Sequence, residues 1–403
     1  MMNCFYNYRF SWLASVWLGV CALTAQAQET LRPEVLKSLK VAQDALADKR
    51  NAEALEQSQR VLALPQLSTY ERHTVLRTLA VAAMGAQSWD AAISALEDLV
   101  QSSTTSSADK RLMYESLVRA ALQKKESDRV ARYARAYLQE GGLNASVRTV
   151  LIQSLNLLGR HTEVVETMQG FLQVDDASGN KTPEEELRAL ALSQRQIKSE
   201  SGYRDALWRL LTSHEKPVYW AEYIARVFGM SGFNSRFELD LYRLYELTGH
   251  LQESGEYVEM AQLALKAGLP VEAVRVIAKG FEKGVLGQGS EASGHARLKT
   301  EAEKRMREDE AQFAQMEKVA RDGNSLAMIA EVQFSRQNWE AANEAYAKAL
   351  QLGGLRRLPE IQLHHAIGLL QAGRKDAART QLQAIEGDAT ALELARLWSL
   401  RAR

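Results

Sequence analysis

Small and apolar residues recur along the chain at spacings of three and four, the period of one buried helix face. The pattern is clearest between Gly323 and Ile385. There Ala330 and Ala342 are followed by Tyr346 and Ala349, and Ala366, Ala378, Leu382 and Ile385 repeat those positions at a constant offset of 36 residues. Two helices joined by a turn, repeated, are the predicted elements. The pattern also runs through the earlier chain: Ala42, Ala45, Ala54 and Val61 make one unit ending near Pro65, and Ala80, Ala83, Ala92, Leu96 and Leu99 make the next. The turn Ser88-Trp89-Asp90-Ala91-Ala92 reappears 250 residues later as Asn338-Trp339-Glu340-Ala341-Ala342. An aromatic before two alanines suits a wedge between packed helices, so Trp89 and Trp339 are expected in the core. Two weaker units carry Val118, Ala121 and Val130, then Ile152, Leu155 and Val164, and Ala261, Ala264 and Ala273 belong to a further unit. No segment alternates with period two, so the chain is expected to be helical almost throughout.

A period near 34 residues, with small residues where two antiparallel helices cross, resembles the tetratricopeptide repeat (TPR). The resemblance implies an all-α, TPR-like α-solenoid of antiparallel helix pairs, about nine units. The expected organisation is residues 1–27 as a signal peptide, 28–176 as N-terminal repeats and 177–286 as central repeats. A Gly-rich joint and charged helix over 287–322 and C-terminal repeats with a capping helix over 323–403 complete it.

Composition adds an address. Arg9 is the sole charge in the first 27 residues, Phe10 to Leu23 is mostly apolar, and Ala25-Gln26-Ala27 is a small-x-small cleavage site, so secretion with cleavage after Ala27 is predicted. Both cysteines, Cys4 and Cys21, fall inside that segment, which leaves no thiol or disulfide chemistry in the mature chain. Of 50 basic and 50 acidic residues only Arg9 is lost with the signal, giving 49 against 50 and a charge of −1. Such a balance offers no general attraction for nucleic acid. The mature chain shows no second apolar run of spanning length, and a soluble periplasmic protein of a Gram-negative bacterium is the expected setting.

Candidate chemistry is sparse. His-Glu-x-x-His, Cys-x-x-Cys, P-loop and Gly-x-Ser-x-Gly patterns do not occur, and no catalytic, cofactor-binding or metal-ligating residue is assigned. Adjacent His364 and His365 point about 100° apart on a helix, which spoils a metal pair; both read as surface or groove residues. Thr182-Pro183-Glu184-Glu185 reads as a helix start with Thr182 as the cap. Gly284 to Gly294 reads as a joint, and Ala296 to Arg321 as a solvated helix with i,i+4 pairs Glu301/Arg305, Glu303/Arg307 and Lys304/Glu308. The aromatic stretch Tyr219 to Tyr245 reads mainly as inter-helix core, with a docking groove as the alternative. Four polar residues, Arg119, Gln153, Asn156 and Glu331, take first-helix positions expected on the concave side, and they are the candidate protein-binding residues. Arg119 and Gln153 hold the same repeat position 34 residues apart.

Several runs in the C-terminal half point further: Ala267-Gly268-Leu269-Pro270-Val271-Glu272-Ala273, Lys279-Gly280-Phe281-Glu282-Lys283-Gly284-Val285, and Ala349-Leu350-Gln351-Leu352-Gly353-Gly354-Leu355. With Tyr219-Trp220, Leu241 to Glu246 and Ala320 to Asn324, they make the segment from about Tyr203 onward similar to periplasmic TPR proteins encoded beside TonB, ExbB and ExbD energy-transducing systems. The resemblance implies a non-catalytic protein-binding scaffold, accessory to TonB-dependent uptake, with TonB or ExbD components as partners. The alternative is a cell-envelope assembly factor acting in peptidoglycan or outer-membrane protein biogenesis.

Overall fold

The computed structural model describes residues 30–402, so the predicted signal segment and its cleavage site lie outside the described residues. Twenty α-helices follow in chain order, and most form consecutive pairs. The first three pairs are α1 (Pro33–Ala47) with α2 (Asn51–Leu62), α3 (Thr69–Gly85) with α4 (Trp89–Gln101), and α5 (Ser107–Gln123) with α6 (Ser127–Gln139). The next three are α7 (Ala145–Leu157) and α8 (His161–Ser178), α9 (Glu184–Gln196) and α10 (Glu200–Ser213), and α11 (Pro217–Phe228) and α12 (Glu238–Leu247). After α13 (Ser254–Lys266) and α14 (Pro270–Glu282) comes the long single helix α15 (Ala292–Val319). Then follow α16 (Gly323–Ser335) with α17 (Trp339–Leu352), α18 (Leu358–Gln371) with α19 (Lys375–Gln383), and the terminal α20 (Ala389–Ser399). The described chain is all-α, a TPR-like array of antiparallel helix pairs. The described residues divide into two compact units, 30–148 and 149–402, the boundary falling within α7.

One turn recurs inside the pairs. The helix ends, its cap follows, one residue takes a left-handed conformation, and the next pair member begins two residues later. The left-handed residue is Lys49, Gln87, Lys125, Gly159, Lys198, Gly268, Gln337 or Gly373, with φ between 57° and 75°. The amide just after it donates back into the first helix each time, as in Arg50 N to Ala45 O (2.8 Å), Ser88 N to Ala83 O (2.9 Å), Glu126 N to Ala121 O (3.0 Å) and Asn338 N to Gln333 O (2.9 Å). This is a Schellman closure, which satisfies carbonyls the helix end would otherwise orphan. Its recurrence fixes the antiparallel reversal within the pairs. The small residues then allow close crossing: Ala42, Ala54, Ala92, Ala330, Ala342, Ala366 and Ala378 are fully buried.

Several local expectations change. Thr182 does not cap α9; it is buried and donates to Asp175 Oδ2 at 2.7 Å, while Pro183 takes the cap position. The acidic residues that follow are spoken for individually, Glu184 by Lys216 and Tyr219 and Glu186 by Thr149. The charged helix begins at Ala292, four residues earlier than read from sequence, and keeps the pairs Glu301/Arg305 at 2.6 Å and Lys304/Glu308 at 4.0 Å. The aromatic stretch is largely interior, as expected: Tyr219, Trp220, Tyr223 and Phe237 are buried. Half-buried Phe228, Phe233, Tyr242 and Tyr245 form a chain of ring contacts with centroids 5.5 to 6.4 Å apart, edge-to-face between Phe228 and Tyr242 and tilted at the other two. Trp339 is half-buried and stands edge-on to Phe334 at 5.3 Å, a wedge of the kind predicted.

Candidate functional site

In the first unit the helix pairs leave one face of α3 uncovered. Tyr70, Thr74, Arg77 and Val81 follow at spacings of four, three and four, which places them along a single stripe. Tyr70 is 39% exposed and Val81 60%, and Arg77 is exposed beside them. The 38-residue offset that relates Ala80 to Val118 brings Val81 onto Arg119 and Thr74 onto Leu112 in the next pair. Arg119 is half-buried on α5, and Leu112 on the same helix is exposed. The first-helix positions of this unit thus offer mixed apolar and cationic surface.

The other sequence-derived candidates lie in the second unit. Gln153 and Asn156 are half-buried on α7, one turn apart. Asn156 already works inside the protein: its Nδ2 donates to Ala189 O at 3.1 Å and its Oδ1 accepts from Ser193 at 3.4 Å, tying α7 to α9. Glu331 is only 14% exposed and its carboxylate points into the interior, where it accepts from Tyr346 at 2.9 Å and from His364 Nδ1 at 2.7 Å. Arg119 belongs to the first unit, and Gln153, Asn156 and Glu331 to the second.

What surrounds Glu331 is a charged cluster that sequence reading missed. Arg243 on α12 is 7% exposed and makes a two-pronged contact to Glu272 on α14, Nε to Oε1 at 3.0 Å and Nη2 to Oε2 at 2.7 Å. Its Nη1 donates to Asp240 Oδ1 at 2.7 Å, and His364 Nε2 reaches the same oxygen at 2.9 Å. The 3.3 Å approach of Arg243 Nη1 to His364 Nε2 is therefore two donors converging on one acceptor. Phe334 closes the group, with the guanidinium 5.0 Å above its ring and the His364 imidazole stacked at 5.5 Å. His364 and His365 are both buried, which corrects the surface reading, because α18 is packed by helices on more than one side.

The electrostatics follow from the packing. Burial drives the His364 ring toward neutrality, yet Asp240 and Glu331 on its two nitrogens hold its pKa well above the usual 6.5. Burial would also raise the two carboxyls, and the facing cations outweigh it, leaving both below their ordinary values. His365 has no such partner, and burial lowers it to about 4, so it is neutral at pH 7. Arg243 and His364 thus face three carboxylates, Asp240, Glu272 and Glu331, and Arg275 adds a third cation at 3.6 Å from Glu272. The chemistry of the cluster is that of a fixed ionic lock: each carboxylate is committed to a donor and the imidazole carries protons on both nitrogens. Among the described residues no group of three or more His, Cys, Asp or Glu side chains is arranged to hold a metal ion.

No protein-family model matches this chain, and no curated protein matches it in sequence. Among solved structures it is similar to a tetratricopeptide repeat protein from Parabacteroides merdae ATCC 43184, at 9% identity over 83% of this chain and 98% of that one, with a TM-score of 0.31. It is also similar to yeast Tom70, at 10% identity over 92% and 95% of the two chains and a TM-score of 0.26. The TPR domain of P58(IPK) aligns at 12% identity over 92% and 98%, with a TM-score of 0.24. The fold assignment rests on the helix order and the recurring turn described above.

Proposed function

We propose that the protein is a non-catalytic, protein-binding scaffold of the periplasm, an accessory to TonB-dependent uptake across the outer membrane. The observation that carries the binding role is the uncovered first-helix stripe of the first unit, where Tyr70, Arg77 and Val81 lie exposed on α3 and Leu112 on α5. Exposed aromatic and aliphatic groups beside arginines are the composition of interface anchors. The periplasmic address is supported by the sequence of residues 1–27 and sits with the finding that no helix among the described residues is long and apolar enough to cross a membrane. The link to TonB and ExbD is supported by the sequence runs around Gly268, Gly280 and Gly353.

Two experiments test this reading. Mass spectrometry of the periplasmic protein should find Gln28 at the N-terminus; an intact Met1 or an acylated Cys21 would overturn the address. Purified protein should bind purified TonB or ExbD periplasmic domains, and Arg77→Ala with Arg119→Ala should weaken that binding without loss of helix content. Binding to neither domain, alongside binding to peptidoglycan or outer-membrane assembly proteins, would replace uptake with envelope assembly. Asn156 is kept unchanged in this test, because its bonds to α9 make it a stabilising residue whatever it binds.

A further inference from the structure

From the end of α17 to the start of α18 the chain reads Leu352-Gly353-Gly354-Leu355-Arg356-Arg357-Leu358, leucines and arginines with no acid among them. Gly353 and Gly354, at φ 70° and 67°, turn this segment onto the start of α16. Asn324 holds it there: its Nδ2 donates to Gly354 O at 2.9 Å and its Oδ1 accepts from Arg356 N at 3.1 Å. Gly323 permits the approach, since a side chain at that position would run into Gly353 O and Leu355. The segment therefore lies beside the link from α15 to α16, where Val319 ends one helix and Arg321 follows. By contrast, the links α10–α11, α12–α13 and α19–α20 contain Glu215, Glu253 and Asp388.

This rim of the second unit is apolar and cationic at once. Val319, Leu352 and Leu358 are 62%, 58% and 43% exposed, and Arg321 and Arg356 are exposed beside them. The nearby acids are engaged elsewhere. Asp322 accepts from the amides of Asn324 and Ser325 at the start of α16, and Glu360 is nearly buried and takes Arg357 at 3.0 Å. Among the described residues no carboxylate pairs with Arg321 or Arg356. Unpaired guanidinium groups next to exposed aliphatic chains are complementary to a surface that is anionic outside and apolar beneath. Stable protein interfaces engage about 20 to 30 residues a side, whereas this rim consists of helix ends and two links with three exposed aliphatic groups. A bilayer needs no matching shape, because lipid moulds around each side chain that enters it.

We propose that this rim docks the second unit on the surface of an anionic phospholipid bilayer, with Val319, Leu352 and Leu358 entering the headgroup boundary and Arg321 and Arg356 meeting lipid phosphates. Equal numbers of basic and acidic residues give the chain no long-range pull toward lipid, so the attraction is local to the rim. Neither part suffices alone, since one weak signal gives only marginal membrane binding. The contact is peripheral, as no helix among the described residues is long and apolar enough to cross a membrane. It concerns the second unit alone and holds whichever protein the scaffold takes.

Co-sedimentation of the full-length protein with vesicles tests the docking, using phosphatidylcholine alone or mixed with one third phosphatidylglycerol. Binding to the phosphatidylglycerol vesicles is expected, weakening as salt rises. Arg321→Gln with Arg356→Gln should weaken it about thirtyfold, and Leu352→Ser with Leu358→Ser about tenfold or more. Helix content should not change, since all four side chains are exposed. Any contact made by residues 1–27 is common to every variant and cancels from the comparison. A polarity-sensitive dye on Leu358→Cys, in protein carrying Cys4→Ser and Cys21→Ser, should shift to the blue with phosphatidylglycerol vesicles. The same dye on exposed Gln262→Cys in α13 should not. The absence of binding to phosphatidylglycerol vesicles, or equal binding by the rim variants, overturns the docking. So does a dye at position 358 that responds to poly-glutamate and not to vesicles, which would make the rim a contact for an acidic protein segment.

Discussion

Replacing Arg243 with methionine removes the guanidinium from a site where its partners cannot escape to water. Asp240 and Glu272 are 1% and 4% exposed, and three hydrogen bonds of 2.7 to 3.0 Å are lost, together with the contact over Phe334. Truncating one member of a buried ion pair typically costs about 3 to 5 kcal/mol, because a charge is left buried and uncompensated. Asp240 keeps His364 at 2.9 Å, whereas Glu272 keeps only the longer contact to Arg275 at 3.6 Å, so Glu272 bears most of the loss. Changing Arg243 and Glu272 together to methionine should therefore cost less than Arg243→Met alone, a non-additivity of ~1 to 3 kcal/mol. Because the chain holds two compact units, a single global melt would mix their transitions. Native-state hydrogen exchange read helix by helix is the appropriate assay: protection should fall in α12, α14, α16 and α18 and remain unchanged in α1 to α6. A loss under ~1 kcal/mol, or a double variant weaker than the single one, would refute the reasoning.

Other expectations follow from particular residues. Ala92→Leu and Ala342→Leu should each destabilise by ~1 to 3 kcal/mol, since both sites are fully buried at helix crossings and added methylenes overpack them; unchanged exchange protection in α4 and α17 respectively would refute the packing. Gln87→Gly and Gln337→Gly should stabilise by ~0.5 kcal/mol, the relief of a left-handed side chain less the entropy that glycine adds to the unfolded chain; a loss of stability would show that those side chains pack usefully. His364, whose folded pKa is raised, contributes stability fully present below the ordinary 6.5 and lost as pH climbs through the higher folded value. Asp240 and Glu331, whose values are lowered, lose their contribution only as pH falls below their ordinary 3.8 and 4.5. Exchange protection of α18 should accordingly be greatest near pH 6.5: it declines at alkaline pH as His364 loses its proton, a decline that His364→Gln should abolish, and it falls between pH 6.5 and about 4 because the buried His365 stays neutral while its unfolded counterpart takes up a proton. Arg243, Glu272, Tyr346, Glu360 and His365 also face this region, so the comparison with His364→Gln isolates the imidazole from them.

The repeating helix pair was legible because it depends on local spacing. The 36-residue offset from Ala330 to Ala366 and from Ala342 to Ala378 needs no tertiary knowledge, since the small residues stand where neighbouring helices touch. The turn was half legible. Gly159, Gly268 and Gly373 announce a left-handed residue, whereas Lys49, Gln87, Lys125, Lys198 and Gln337 take the same conformation without glycine and give no signal. The helix start at Glu184 was misread by one residue's role, because the local rule for Thr182 could not foresee Asp175 taking its hydroxyl. The charged cluster was invisible for a deeper reason. His364 and Asp240 are 124 residues apart, and nothing in a single sequence says that α12 and α18 meet. The surface reading of His364 and His365 assumed that one side of α18 faced water, and both are buried. Glu331 was placed correctly as a first-helix residue, and what sequence could not show is that the protein itself occupies that position.

The central claim is that first-helix faces of this array hold a protein partner, and site-specific photo-crosslinking in living cells addresses it most directly. A photoreactive amino acid is placed at Val81 or Arg119, first-helix positions of successive pairs, and at exposed Ser94 on the second helix α4 as the comparison. The account expects an adduct of one defined mass from positions 81 and 119, containing TonB or ExbD by peptide sequencing, and none from position 94. Equal adducts from position 94, or no adduct from either first-helix position, would contradict it.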